Sequence, residues 1–133
     1  MALKDGKILD YEHWEMIENG AKPSYTNFPT GAGGTLYPPN VFPDIVDDRQ
    51  LFEKLCPKGD DIWFWAMAVL NETRIATTEV NLNYLKYVNI ARGLGILDTE
   101  GTLWSGNKND ENNRQVQNVI GHFPEILERI ANE

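Results

Sequence analysis

The rhythm of apolar and polar positions changes several times along the chain, and each change marks an element. In residues 1 to 40 apolar side chains stand singly between turn residues. Asn19-Gly20 is a turn signal, and Pro23, Pro29, Pro38 and Pro39 rule out a long helix. Within this stretch Tyr11 to Glu18 can form a short helix with Trp14 and Ile17 on one face. Thr30-Gly31-Ala32-Gly33-Gly34 runs into Thr35-Leu36-Tyr37, which reads as a short strand ended by Pro38-Pro39. Asp48 can then cap a helix over Gln50 to Leu55, with Leu51, Phe52 and Leu55 turned inward, and Pro57-Lys58-Gly59 breaks it.

The next nine residues, Ile62 to Leu70, are apolar without interruption. A helix with such side chains all round is buried on most sides. A buried strand is the competing reading. The Ala-Met-Ala-Val-Leu composition favours helix, with Asp60 or Asp61 as its N-cap. Asn71-Glu72 ends the run, and the β-branched stretch Arg74 to Val80 reads as a strand. Residues 81 to 106, with Gly93, Gly95, Gly101 and Gly106, are loop-like and ambiguous. Asn109-Asp110 opens a polar helix through about Ile120 whose apolar positions are Val116, Val119 and Ile120. Phe123 to Ala131 predicts a last amphipathic helix with Pro124 near its first turn. Strands mixed with helices make this an α/β or α+β domain.

Composition narrows the picture. A chain of 133 residues suggests one compact domain, and 41% apolar residues, with four Trp, five Tyr and five Phe, supply its core. The formal net charge of -8 repels nucleic-acid phosphates and anionic lipid heads, so no nucleic-acid partner is expected. It does not exclude a sugar nucleotide, because local donors and metals can hold a diphosphate. The single cysteine, Cys56, has no internal disulfide partner and reads as a small packed hydrophobe, which fits a reducing, cytoplasmic setting. The first residues, Met1 to Gly6, lack the apolar stretch of a secretory leader. The longest apolar run is far short of the ~20 residues that span a bilayer, so no transmembrane segment is expected.

Four features can carry chemistry. Asp60-Asp61 at a helix start can cap the helix and favour its positive dipole end. A carboxylate there can also act as a general base toward a hydroxyl. The segment Gly31 to Gly34, including Gly33 and Gly34, is either a tight turn or a loop that lets backbone approach a substrate; it is no phosphate-binding fingerprint. Trp63, Tyr37 and Trp14 are either core or apolar walls of a sugar site. Asn109-Asp110 reads as a helix cap. His13 and His122 are isolated, and no metal-ligand spacing appears within the chain.

Two longer runs carry a resemblance. The stretch Lys22 to Pro39 contains Gly31-Ala32-Gly33-Gly34-Thr35-Leu36-Tyr37-Pro38-Pro39. The second, Cys56 to Met67, contains Pro57-Lys58-Gly59-Asp60-Asp61-Ile62-Trp63. Together they resemble a bacterial glycosyltransferase family of capsular and lipopolysaccharide synthesis. Its members carry G-x-G-G-x-L-Y-P-P, then P-x-x-D-D-I-W at a helix start, then a late Asn-Asp pair like Asn109-Asp110. The match runs in order over about residues 10 to 125. Lys58-Gly59 departs from it, standing where a small residue such as Ala often precedes the acids.

The resemblance implies the C-terminal portion of a GT-A-like mixed sheet flanked by helices, in a nucleotide-diphospho-sugar transferase. On that reading residues 1-133 form a single domain, the acceptor-side half. Asp61 would be the catalytic base with Asp60 before it, and Gly33, Gly34, Tyr37, Trp63, Asn109 and Asp110 would line the substrate site. The nucleotide-binding half, with the Asp-x-Asp that holds Mg or Mn on the diphosphate, is absent from this sequence. No cofactor is therefore expected in this chain, and no turnover from it alone. Carbohydrate acceptor and nucleotide-sugar would be the partners of the full enzyme, which is expected to be cytoplasmic or peripheral at a membrane. Exposed edges of a partial α/β domain also predict a homo-oligomer. The alternative reading is a non-catalytic carbohydrate-binding or accessory interaction domain.

Overall fold

The computed structural model describes residues 1–17, 19–31, 34–79 and 110–133. Its opening hairpin pairs β1 (Leu3–Lys4) with β2 (Lys7–Ile8), Leu3 opposite Ile8. Asp5 and Gly6 both take positive φ in the turn, the backbone that suits a two-residue hairpin. Two 3-10 turns follow, Tyr11–His13 and Asp44–Asp47. Then come α1 (Arg49–Leu55), α2 (Asp60–Leu70), α3 (Asn112–His122) and α4 (Glu125–Ala131). The described residues are thus mostly helical, with one small antiparallel sheet. None of their helices is long and apolar enough to cross a membrane.

The capping of α1 follows the sequence: the Asp48 carboxylate accepts from the Leu51 N–H at 2.9 Å. Leu55 is buried, and Leu51 and Phe52 pack against the core. The apolar run is a helix, but it begins at Asp60 rather than Ile62. Gly59 holds the N-cap position without a side-chain cap, so neither aspartate is the cap. Ile62, Trp63 and Trp65 to Val69 are all buried. The α2 helix touches α3, α4 and the Asp44–Asp47 turn.

Buried indoles need a partner for their N–H, and α2 uses two of them to hold irregular chain. Trp63 donates to the Val46 carbonyl at 3.0 Å, and Trp65 to the Tyr25 carbonyl at 2.8 Å. At the other end Arg129 of α4 donates to the Val69 carbonyl at 2.7 Å, adding to the bond this last-turn carbonyl accepts from the Glu72 N–H. Cys56 is fully buried, and burial pushes its thiol up to about 12, consistent with an unreactive packed side chain.

Three expected elements differ. Glu18 lies outside the described residues, and the helix expected over Tyr11 to Glu18 does not form in the described residues 11–17: only Tyr11–His13 turns, and Trp14 is extended. Its indole folds back to the Leu9 carbonyl at 2.7 Å, and its ring packs on Tyr11 and Phe28. Thr35 to Tyr37 is not a strand; Leu36 is 89% exposed, and Tyr37 is held by ring contacts with Phe42 and Phe64. Arg74 to Val80 gives one antiparallel bridge, Ile75 with Ser24. There the Asn27 side-chain amide donates to the Ile75 and Lys22 carbonyls, so the Ile75 carbonyl accepts from both Asn27 and the Ser24 N–H. Val80 and residues 81 to 106 lie outside the described residues.

Two polar clamps close the fold. Gln115 of α3 is fully buried; its oxygen accepts from the Lys58 N–H at 2.9 Å and its amide donates to the Glu111 carbonyl at 3.2 Å. Gln115→Ala leaves the Lys58 N–H without that acceptor and opens a void. Urea unfolding should show a loss of about 1–3 kcal/mol.

The Glu133 carboxylate accepts from the Ser24 hydroxyl at 2.6 Å, the Tyr25 N–H at 3.1 Å and Arg74 at 2.9 Å. Burial alone would raise its pKa; the Ser24 and Tyr25 bonds and the Arg74 charge outweigh this and hold it below the usual glutamate range. The stability this contributes is present above the unfolded pKa and disappears as pH falls through the lowered folded value. Between about pH 5 and 3 the Tm of the unaltered chain should therefore fall more steeply than that of Glu133→Gln.

Candidate functional site

The polar end of α2 is its first turn. Asp60 and Asp61 stand there, where the helix dipole favours negative charge. Their positions are fixed from below. Gly59 is pressed against α3: a Cβ there would lie 3.0 Å from Ile62 Cδ1 and 3.2 Å from Gln115 Nε2. The clamp of Gln115 on Lys58 thus sets where the helix begins.

The two acids have different surroundings. Asp60 is exposed, and its carboxylate accepts from the Asp61 N–H at 3.1 Å. Asp61 is half-buried, and its carboxylate accepts from the Gly31 N–H at 2.9 Å. Burial raises the Asp61 pKa, the Gly31 bond works against this, and the Asp60 charge adds to the rise. The outcome is a carboxylate more basic than an ordinary aspartate, held at a surface by a backbone bond.

The glycine segment meets the acids through Gly31. Gly34 has φ +89 and donates its N–H to the Gly31 carbonyl at 3.0 Å, closing a turn. Gly33 lies outside the described residues. Beyond the turn, Tyr37 is 40% exposed. Burial raises its hydroxyl pKa, a Thr35 hydrogen bond opposes this, and the Asp61 and Asp60 charges add to the rise. Tyr37 therefore shares the field of both acids.

The aromatic wall on this face is not Trp63. Trp63 is only 2% exposed, packs its ring on Phe52 and spends its N–H on Val46. Residues two apart on a helix face away from each other, whereas residues three and four apart are neighbours. Phe64 is three residues from Asp61 and four from Asp60, and its ring lies 5.4 Å from Tyr37 and 5.5 Å from Phe42. That helical spacing is the signal that could have picked Phe64 from the sequence.

Asp110 is exposed, with φ +60, and accepts from the Asn113 side-chain amide at 3.3 Å. It does not cap α3 in the expected way: a wide turn at Asp110 and Glu111 precedes the helix, which starts at Asn112. Asn109 lies outside the described residues. Gln115, bonded to both Lys58 and Glu111, brings the start of α3 to the same end of the molecule as the start of α2. Asp110 makes no hydrogen bond or ion pair to Asp60 or Asp61. His13 and His122 are exposed, and no group of three His, Cys, Asp or Glu gathers among the described residues.

No protein-family model, curated protein or solved structure matches the chain.

A Cβ on Gly31 would lie 2.9 Å from Asp61 Oδ1, too close for the present contact. The nearest atom is the end of a side chain, so the carboxylate turns away. Gly31→Ala should therefore remove the bond that opposes the rise and lift the Asp61 pKa further. A carboxyl-carbon NMR titration reads this directly, and an unchanged midpoint would show that the bond has no influence.

Proposed function

We propose that this chain is the acceptor-side part of a nucleotide-sugar-dependent glycosyltransferase of the GT-A type, serving bacterial capsular or lipopolysaccharide synthesis. Asp61 is its general base. The observation that carries this is the pairing of a half-buried, basic Asp61 with the Gly31 N–H, at the end of a helix and beside Tyr37. It joins, in space, the two runs on which the sequence resemblance rests.

The chemistry follows from the charge states. An acceptor hydroxyl is a weak nucleophile with a high pKa, so attack needs a positioned group to take its proton. As the hydroxyl oxygen bonds to the anomeric carbon, the proton passes to the Asp61 carboxylate. The bond from that carbon to the diphosphate oxygen breaks, and its electron pair leaves with the nucleotide. The Gly31 N–H fixes one carboxylate oxygen, leaving the other for the proton. Asp60, exposed and like-charged, disfavours a second full charge beside it and so strengthens the base.

The donor nucleotide belongs on this reading to a second half, which also supplies the metal ligands. A divalent ion held by that half would offset the charge of the departing diphosphate. The fold around Asp61 would be the acceptor-side portion of that enzyme.

Joined to its nucleotide-binding half, Asp61→Asn should lower turnover at least ~100-fold, the scale of lost general-base help. The amide oxygen can still accept the Gly31 N–H, and the poorly solvated charge is gone, so Tm at neutral pH should not fall. Near-normal turnover would remove Asp61 from the role. The acid limb of kcat/KM should lie above the usual aspartate range, because the base works only when ionised. Incubated alone with sugar nucleotides and Mn, the chain should release no sugar; hydrolysis would overturn the two-half reading.

A further inference from the structure

One turn along α2 from the acids, the surface sinks into a hollow of about 240 Å3 lined by Val46, Asp47, Arg49, Phe52, Trp63 and Phe64. Its accessible aromatic surface is that of Phe52 and Phe64, both half-buried; Trp63 lies sealed beneath, its ring centroid 5.9 Å from that of Phe52. The Trp63 N–H is already given to Val46, so the floor offers no donor. The polar groups stand in one stretch, Asp47 and Arg49. The Asp47 carboxylate has no hydrogen-bond partner among the described residues. Arg49 donates through Nε to Glu53 at 2.7 Å, leaving its other N–H groups open.

We propose that this hollow binds one neutral pyranose ring of the acceptor, next to the ring whose hydroxyl Asp61 activates. As an acceptor subsite it rests on the reading of Asp61 above; as a sugar site it stands on its own lining. The volume is below the roughly 300–1,000 Å3 of pockets for larger ligands, so a single ring is the matching size. The half-buried rings of Phe52 and Phe64, which carry no donor, suit the C–H face of a sugar, whose positive hydrogens meet the negative face of the π-system. A carboxylate and a guanidinium at the rim suit the hydroxyls at the ring edge. A nucleotide fits poorly, because its phosphate would meet the Asp47 charge in a chain of net charge -8, and the one cation at the rim, Arg49, is already paired with Glu53. The same charges disfavour a uronate. Phe64 belongs both to the hollow and to the ring cluster with Tyr37, so a chain of sugars crossing it reaches from the hollow to Asp61.

The test is amide chemical-shift mapping of the full chain with methyl β-galactopyranoside and methyl α-glucopyranoside. Methyl β-glucuronide and uridine monophosphate are titrated in parallel. Expected are shifts centred on residues 46–49 and 63–64 with at least one neutral glycoside, and none there with the two anions. Asp47→Ala, a surface change, should weaken that binding about tenfold, the scale of a hydrogen bond to a charged group. Phe64→Leu keeps an apolar side chain in the helix while removing the ring, and should weaken it too. No shifts at the hollow, preferential binding of either anion, or unchanged affinity in both variants would overturn the proposal. Asp61→Asn separates the two claims: it should bind the glycoside normally, so lost glycoside binding in the unaltered chain speaks against the hollow, and surviving turnover in Asp61→Asn speaks against the base.

Discussion

A helix that is apolar on every side beyond its first turn has to be covered on every side, and α2 imposes that demand on the rest of the chain. The helices α3 and α4 cover part of it, and the 3-10 turn at Asp44–Asp47 another part. Burial by itself is non-directional. The indoles make it directional. Trp63 and Trp65 are two residues apart and so face away from each other. Each buries a ring and seeks a carbonyl, one at Val46 and one at Tyr25. A single helix thereby fixes two irregular segments that share no regular hydrogen bonding.

The same demand places the candidate site. With the body of α2 sealed, only its first turn can carry charge, and both acids are there. Two effects compete at that turn. The dipole stabilises anions by about 0.3–1 kcal/mol at exposed sites. Partial burial and the neighbouring carboxylate oppose this, and at Asp61 they outweigh the Gly31 hydrogen bond and raise the pKa. The Gly31 segment supplies a backbone N–H without a side chain in the way, so it can approach such a carboxylate closely. Charge is thus kept at a position where folding alone would favour a neutral group, the usual tension between a stable fold and a reactive site.

What was legible in the sequence follows from how each part is held. The helices α1, α2 and α4 were readable because local pattern fixes them: the Asp48 cap, the apolar run and the Phe123 to Ala131 periodicity. The α3 helix starts at Asn112, two residues after Asp110, because Asp110 takes positive φ and meets the Asn113 amide instead of capping. The first 40 residues resisted reading for a different reason. They are held by bonds between residues far apart in the chain, such as Asn27 to Ile75, Tyr11 to Asn113 and Tyr25 to Glu133, and no local rhythm encodes these. In the candidate site the acids and the glycine segment were visible as residue types. The choice between Trp63 and Phe64 was an angular question that helical spacing answers and composition does not.

Gln115 raises the question of why a polar side chain sits fully buried where a leucine would fill similar space. Burying an amide is costly unless it is bonded, and this one is bonded on both sides. Its partners are not arbitrary: one is the loop two residues before Asp60, the other the turn that opens α3. An apolar side chain at that position would fill the volume but tolerate sliding of one helix end past the other. A hydrogen-bonded amide tolerates little, since a small displacement leaves buried groups unpaired. Two helix starts are therefore locked in register at the end of the molecule where a carboxylate has to be held still. That is the support a reactive group needs from the residues behind it, and it explains why specificity of position outweighs simple packing at this one point in the core.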